Sequence, residues 1–329
     1  MSSIVPDGQL AYGIQLPVQC QSRTFREDWE EDAGAAEIAA MARQADACGF
    51  AYVAVSDHIA VTKPHDAHMQ TTWYDTVATL GYLAAITERV RLLSYVYVLA
   101  YRHPLQTAKS FMTLDALSGG RAILGVGAGH LEGEFDLLGL DFADRGRVTD
   151  DAIAVLREAF AHEYPEIDSP RYGRIADAGL APRPVQARLP IWVGGSSKAA
   201  LRRAAEQGDG WLPQGTPRAE MPGQIAFLLE HRRHTRGDEP IDLGAVTERI
   251  HVGRARWDVG AATLSGSPAR IADRLDQLGA LGVDHLQVRF RSRDLAEQLD
   301  QMAAFGADVA PLLHRRPAAM PPGERSPGD

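Results

Sequence analysis

Cysteine is scarce in this 329-residue chain: there are two, Cys20 and Cys48, and neither has a partner at metal-ligand spacing. That argues against a thiolate metal centre or a disulfide framework and suits a reducing compartment. Long apolar runs are also missing, and none approaches the ~20 residues that span a bilayer. The opening MSSIVPDGQL has neither a basic segment nor an apolar stretch, so no signal peptide is expected and the expected location is the cytoplasm. Basic charge is in deficit. A formal net charge of −9 removes the global footprint of a nucleic-acid binder and leaves only a local patch open.

What is present is a core. The chain is 45% hydrophobic and 23% charged, the balance of a soluble globular protein. Short β-branched or apolar runs alternate with longer amphipathic ones. Strands are expected at 11–16, 52–55, 91–99, 122–126, 190–193, 210–213, 246–253 and 285–290. Helices are expected at 33–47, 74–86, 104–117, 147–161, 198–207, 219–233, 267–281 and 293–305. Parallel neighbours need helical crossovers, and eight such units predict an α/β fold of the (β/α)₈ TIM-barrel class. The rival, an open doubly wound sheet, places a glycine-rich fingerprint in the first βα turn. Here the first strand leads into PVQCQSRTF, which holds no glycine. One barrel domain is expected over 1–314, with insertions at the carboxyl-end loops and a disordered tail at 315–329 rich in proline and glycine. Two further connections, 162–188 and 234–244, are long enough to suggest function or a partner surface.

Chemistry in a barrel belongs at the carboxyl ends of the strands. The run RAILGVGAG (121–129) reads as a buried strand opening into a turn with glycines at 125, 127 and 129, where a backbone comes close to a neighbour or adopts φ > 0. The second strand ends in Ser56, Asp57 and His58, an acid beside an imidazole. His58 would transfer a proton or stabilise charge; Asp57 would orient it, bind a cofactor, or simply cap the loop. The fourth strand end offers His130, Glu132 and Glu134. The fifth reads IWVGGSS and runs into a helix, so Gly194, Gly195, Ser196 and Ser197 would set amides and hydroxyls at a positive helix end suited to phosphate, or serve as an ordinary serine cap. The sixth ends at Gln214. On the eighth, Gln287, Arg289 and Arg291 share a face, with Arg291 the better anion-binding candidate and Arg289 open to neutralisation by an internal carboxylate. There is no metal-ligand cluster and no lysine at a strand end for a Schiff base, which leaves metal-dependent and Schiff-base chemistry without support.

These residues, in this order, carry a resemblance. With SDH at 56–58, HPLQTAKSFMTLDALSGGRAILGVGAG from His103, GGSS followed by AAEQGDGW, and DHLQVRF, the chain resembles the luciferase-like flavin and deazaflavin oxidoreductases over 12–313. The run LSGGRAILGVGAG followed by EFDLLG, with the chain length, looks most like members using coenzyme F420, a 5-deazaflavin. The resemblance implies that Asp57 contacts the ring system and that His58 lies near the reactive carbon. It implies a non-prolyl cis peptide at Tyr95-Val96, bulging toward the ring from behind. Gly127, Ala128 and Gly129 would line the ring edge, Gly194 to Ser197 would hold the cofactor phosphate, and Gln214 would face the ring. His130 falls where a sugar-phosphate dehydrogenase of the family has a catalytic carboxylate, which argues against sugar-phosphate chemistry.

The activity so implied is hydride transfer between coenzyme F420 and a small organic substrate, with His58, Asp57 and His130 as catalytic candidates. The substrate pocket would be built from 18–29, 61–73 and the long connections, with Trp73 and Arg291 as substrate-binding candidates. A homodimer, through helices beside the second and third strands, and a separate cofactor reductase are implied as partners. Two alternatives stay open: an FMN-dependent monooxygenase fed by a reductase, and a flavin-binding protein without catalysis. No metal, nucleic acid or membrane partner is expected.

Overall fold

The structure is a computed structural model that describes residues 4–5, 10–63 and 65–314. The tail at 315–329 lies outside the described residues. In chain order the strands are β1 (Ala11–Gln15), β2 (Tyr52–Val55), β3 (Arg91–Ser94), β4 (Tyr97–Val98), β5 (Ala122–Gly127), β6 (Ile167–Ser169), β7 (Gly173–Ile175), β8 (Ile191–Val193), β9 (Gly210–Trp211), β10 (Asp242–Val252), β11 (Leu264–Gly266) and β12 (His285–Phe290). The α-helices are α1 (Ala35–Ala47), α2 (Asp66–Met69), α3 (Thr76–Ile86), α4 (Pro104–Ser118), α5 (Glu132–Leu138), α6 (Arg145–Ala161), α7 (Lys198–Gln207), α8 (Met221–Arg236), α9 (Pro268–Gly279) and α10 (Leu295–Ala304).

Eight strands close a parallel barrel in the order β1, β2, β3, β5, β8, β9, β10, β12 and back to β1. The (β/α)₈ expectation is met. Local signals fix the element ends as read. Pro104 opens α4 at its first turn, and Gly119 closes it in the left-handed conformation at φ 66°. The single run expected at 91–99 is instead two strands, β3 and β4, separated by a cis peptide at Tyr95-Val96. β10 begins four residues before the expected strand start, at Asp242.

The barrel interior explains several sequence choices. Bulky inward rings sit beside glycines on the neighbouring strands. A Cβ at Gly13 would fall 2.4 Å from the Tyr52 ring, one at Gly210 2.3 Å from Trp192, and one at Gly244 2.3 Å from His285. Trp192 and Gly210 are register partners, as are His285 and Gly244. Large and small residues thus alternate around the wall and fill the taper. His285 stacks on Trp192 at 4.3 Å and meets the Tyr52 hydroxyl at 3.2 Å. Burial pushes its imidazole down to about 3, so it stays neutral.

The carboxyl-end insertions include those after β1, β2, β5 and β10, which carry a short 3₁₀ turn (Asp28–Asp32), α2, α5 and β11. The long connections 162–188 and 234–244 are different. Each leaves the C-terminal end of a helix and enters the start of a strand, so each begins and ends at the amino face. The first climbs the outside of the barrel as the β6–β7 hairpin. Its tip pairs Arg171 with Asp144 and Asp151 and sets Tyr172 against His103. The expectation that both long connections build the pocket is therefore corrected for 234–244, and for all of 162–188 but this tip.

Candidate functional site

The three glycines that end β5 do different work. A Cβ at Gly125 would lie 1.9 Å from the Ser94 carbonyl oxygen, so that position lets two strands approach. A Cβ at Gly127 would lie 2.5 Å from Val96 Cγ2, and one at Gly194 2.5 Å from Val96 Cγ1. Val96 is thus slotted between two glycines at the base of the mouth. Gly129, at φ 86°, turns the chain out of the strand, and Ala128 beside it is half-buried. Tyr95 points into the barrel. Its hydroxyl, and both amide atoms of Gln287, are buried and find no partner among the described residues.

Asp57 is buried, and four donors use both of its oxygens. Oδ2 accepts from the Val98 amide at 2.9 Å and from Arg102 Nη1 at 2.7 Å. Oδ1 accepts from Arg102 Nη2 at 2.8 Å and from the Thr76 hydroxyl at 3.2 Å. The Thr76 hydroxyl shares its one proton with the Ser56 carbonyl at 2.8 Å, so three firm donors face the four or so acceptor positions of the carboxylate. Arg102 in turn lies 4.1 Å over the Tyr97 ring. Burial alone would lower the Arg102 pKa, but the bonds and charge of Asp57 raise it. Asp57 ties the end of β2 to β4 and so locates the segment that carries Val96.

His58 points into the mouth. Its Nδ1 lies 2.7 Å from Glu134 Oε2. Glu134 is 1% exposed and also accepts from the amides of Ile59 and Ala60 at 2.7 and 3.1 Å and from the Tyr101 hydroxyl at 2.9 Å. Burial would raise the Glu134 pKa, but the hydrogen bond and charge of His58, then the Ala60 amide and Tyr101, bring it below the ordinary carboxylate value. An ionised Glu134 takes the Nδ1 proton bond, which turns Nε2 to the mouth. There the imidazole meets Trp73 edge-on at 4.3 Å and His130 at 5.4 Å. The His130 pKa is lowered, first by desolvation and then by the charge of His58.

The depressed Glu134 value has a sign for stability. Its contribution is present above the unfolded pKa of ~4.3 and is lost as pH falls through the lower folded value. Glu134→Gln is therefore expected to lower the urea midpoint at pH 7, with the gap to the parent closing as pH drops below ~4. A gap that stays constant with pH would refute the charged role.

At the fifth strand end, Ser197 caps α7 and accepts from the Ala200 amide at 3.2 Å, while the Ser196 hydroxyl meets that of Thr216 at 2.5 Å. The Gly195 carbonyl accepts from Trp211 Nε1 at 2.9 Å. The amides of residues 195–199 meet no acceptor among the described residues. Gln214 is exposed and, with Gly215 and Thr216, lines a cavity of about 350 Å³ that also touches Phe25, Arg218, Thr247 and Arg289. Arg291 lies apart from this cavity's lining, held by both oxygens of Glu27 at 3.0 and 2.7 Å.

His58, Trp73 and His130 thus meet on one side of the mouth, while Gln214 lies across the barrel on the loop after β9, near Ser196. Arg102, which the sequence placed equally on a phosphate, a substrate or a surface loop, pairs with Asp57. Arg289, open in the sequence to neutralisation by an internal carboxylate, meets none among the described residues. Glu134 is the residue whose role the sequence did not isolate. It is visible in the sequence only as one of two acids beside a glycine turn. Its partner His58 is 76 positions away, and only the β2–β3–β5 packing joins them.

The luciferase-like monooxygenase family profile matches residues 17–256. The F420-dependent glucose-6-phosphate dehydrogenase of Beutenbergia cavernae is 36% identical over 172 residues, 51% of this chain and 49% of that one. The 4-hydroxyprotoasukamycin monooxygenase of Streptomyces nodosus subsp. asukaensis is 35% identical over 176 residues, 53% of this chain and 45% of that one. The crystal structure of monooxygenase RslO1 from Streptomyces bottropensis superposes with a TM-score of 0.76 at 19% identity, covering 92% of this chain and 99% of that one. That last likeness bears on the fold alone.

Proposed function

The chain belongs to the luciferase-like monooxygenase family, and from that premise we propose that it transfers hydride between coenzyme F420 and a small organic substrate. The observation that carries this reading is the His58–Glu134 pair, which presents one imidazole nitrogen to the mouth beside Trp73 and His130. When bound, the deazaflavin supplies the hydride carrier, and the chain's residues bind, orient and move protons around it.

The residues present fit such a group. The free amides at the start of α7, with Ser196 and Thr216 alongside, offer phosphate a positive helix end. The orphaned Tyr95 hydroxyl and Gln287 amide offer polar partners inside the barrel. His58 Nε2 gives or takes the proton that accompanies hydride transfer, Glu134 holds the ring through Nδ1, and Trp73 packs edge-on against it. Dependence on F420 draws support from the Beutenbergia relative. A second reading, an FMN-dependent monooxygenase served by a separate reductase, draws support from the Streptomyces nodosus relative.

Titration of the purified chain with F420 and, in parallel, with FMN tests both. Micromolar or tighter F420 binding with much weaker FMN binding is expected. A preference for FMN would move the function to oxygen insertion. Ser196→Trp is expected to weaken cofactor binding roughly tenfold or more, since it blocks the helix end while leaving the barrel intact. Unchanged affinity would sink the phosphate placement.

A further inference from the structure

Strand β12 points His285, Gln287 and Arg289 inward in successive layers from the amino end to the mouth. Arg289 is the outermost. Its guanidinium lies 4.6 Å over the Phe25 ring and makes one hydrogen bond, from Nη2 to Gln15 Oε1 at 3.3 Å. Among the described residues no carboxylate pairs with it. The acids nearby are all engaged: Glu27 with Arg249 and Arg291, Glu30 with the amides of Val18 and Glu27, and Glu248 with Arg274. Arg289 also lies at the junction of two cavities. One is the 350 Å³ space lined by Gln214, Thr216 and Thr247; the other, about 50 Å³, is lined by Gln15, Cys20 and Glu30.

Arg289 is half-buried, and an arginine drawn that far from water is ordinarily neutralised by an acid of its own fold. Arg289 is instead desolvated, which lowers its pKa, and the nearby Arg249 lowers it further while Tyr95 and Cys20 oppose this. Its planar fork has five donors, and the fold uses one. An unfilled fork over an aromatic face, beside a cavity of this size, matches a planar two-oxygen anion. Cavities of ~300 Å³ and upward hold small ligands.

We propose that Arg289 binds a carboxylate of the small-molecule substrate, so that the enzyme acts on an organic acid. Val246 and Thr247 line the space that the body of the acid would fill, and the Gln15 side-chain oxygen Oε1 holds the guanidinium in orientation. This deepens the oxidoreductase reading and rests on it for the word substrate, though not for the anion site itself.

The test uses benzoate and its neutral counterpart benzamide as probes, by calorimetry, on cofactor-free and F420-saturated protein. The parent is expected to prefer benzoate by roughly tenfold or more, the scale of a hydrogen bond to a charged group. Arg289→Gln should abolish that preference and leave benzamide binding and F420 affinity unchanged. Equal binding of the two probes by the parent, or a preference that survives in Arg289→Gln, would overturn the proposal. A parallel loss of F420 affinity, with benzoate competing against F420, would assign the carboxylate to the cofactor and overturn the substrate assignment. If the glutamine variant does not fold, Arg289→Lys decides. It keeps the charge but loses the fork, so benzoate should weaken at least threefold with benzamide unchanged; unchanged benzoate binding would refute the fork. Failure of the parent to bind either F420 or FMN would defeat the oxidoreductase reading, while the probe comparison would still decide the anion site.

Discussion

Replacing His58 with alanine is expected to lower kcat by about 10²–10⁴-fold, the usual reach of a positioned acid–base group. Cofactor affinity and thermal midpoint should change little. The geometry makes this separation possible. Glu134 loses one of its four donors but keeps the Ile59 and Ala60 amides and the Tyr101 hydroxyl, so the buried carboxylate is not stranded. Trp73 loses an edge contact and keeps its bond to the Gln70 carbonyl at 3.2 Å. Glu134→Gln is the companion. It acts through His58, so it should lower kcat with little change in KM, and by less than His58→Ala. Unaltered turnover in His58→Ala would remove the imidazole from the chemistry. A loss of turnover that tracks a fall in thermal midpoint would make His58 a structural residue.

Much of the scaffold could be read because it rests on local rules. Helix α7 matches its expected bounds, since a serine cap precedes an amphipathic run and a glycine follows it. β12 does too, for its alternation survives burial of both faces. The Tyr95-Val96 break was reached through family resemblance, because nothing in the apolar run from 91 to 99 marks where the pairing fails. Helix α5 is not legible in the sequence, as its seven residues EGEFDLL show too little period to separate from a loop. The two arginines of the last strand show the same limit at the site. Alternation places Arg289 and Arg291 on one face, and β12 ends between them, at Phe290. Whether each meets an acid depends on Glu27, more than 260 positions earlier, which takes Arg291 and leaves Arg289 open.

Asp57→Ala is expected to destabilise the cofactor-free protein by ~3–5 kcal/mol, the range for removing one member of a buried ion pair. The variant would leave Arg102, whose side chain is 16% exposed, with only the Tyr97 face for company. It would also free the Val98 amide and so loosen the join between β2 and β4. A urea titration without cofactor measures this directly. The double variant Asp57→Ala/Arg102→Met should recover part of the loss, because the stranded cation is then gone. The measurement also separates two roles for Asp57. If the carboxylate serves only to touch a bound ring system, the cofactor-free variant will be as stable as the parent and only affinity will fall. The three firm bonds that Asp57 already accepts, from the Val98 amide and from both terminal nitrogens of Arg102, argue the other way. On that account any effect on cofactor binding passes through the position of Val96, held between Gly127 and Gly194, and should appear alongside the loss of stability rather than in its place.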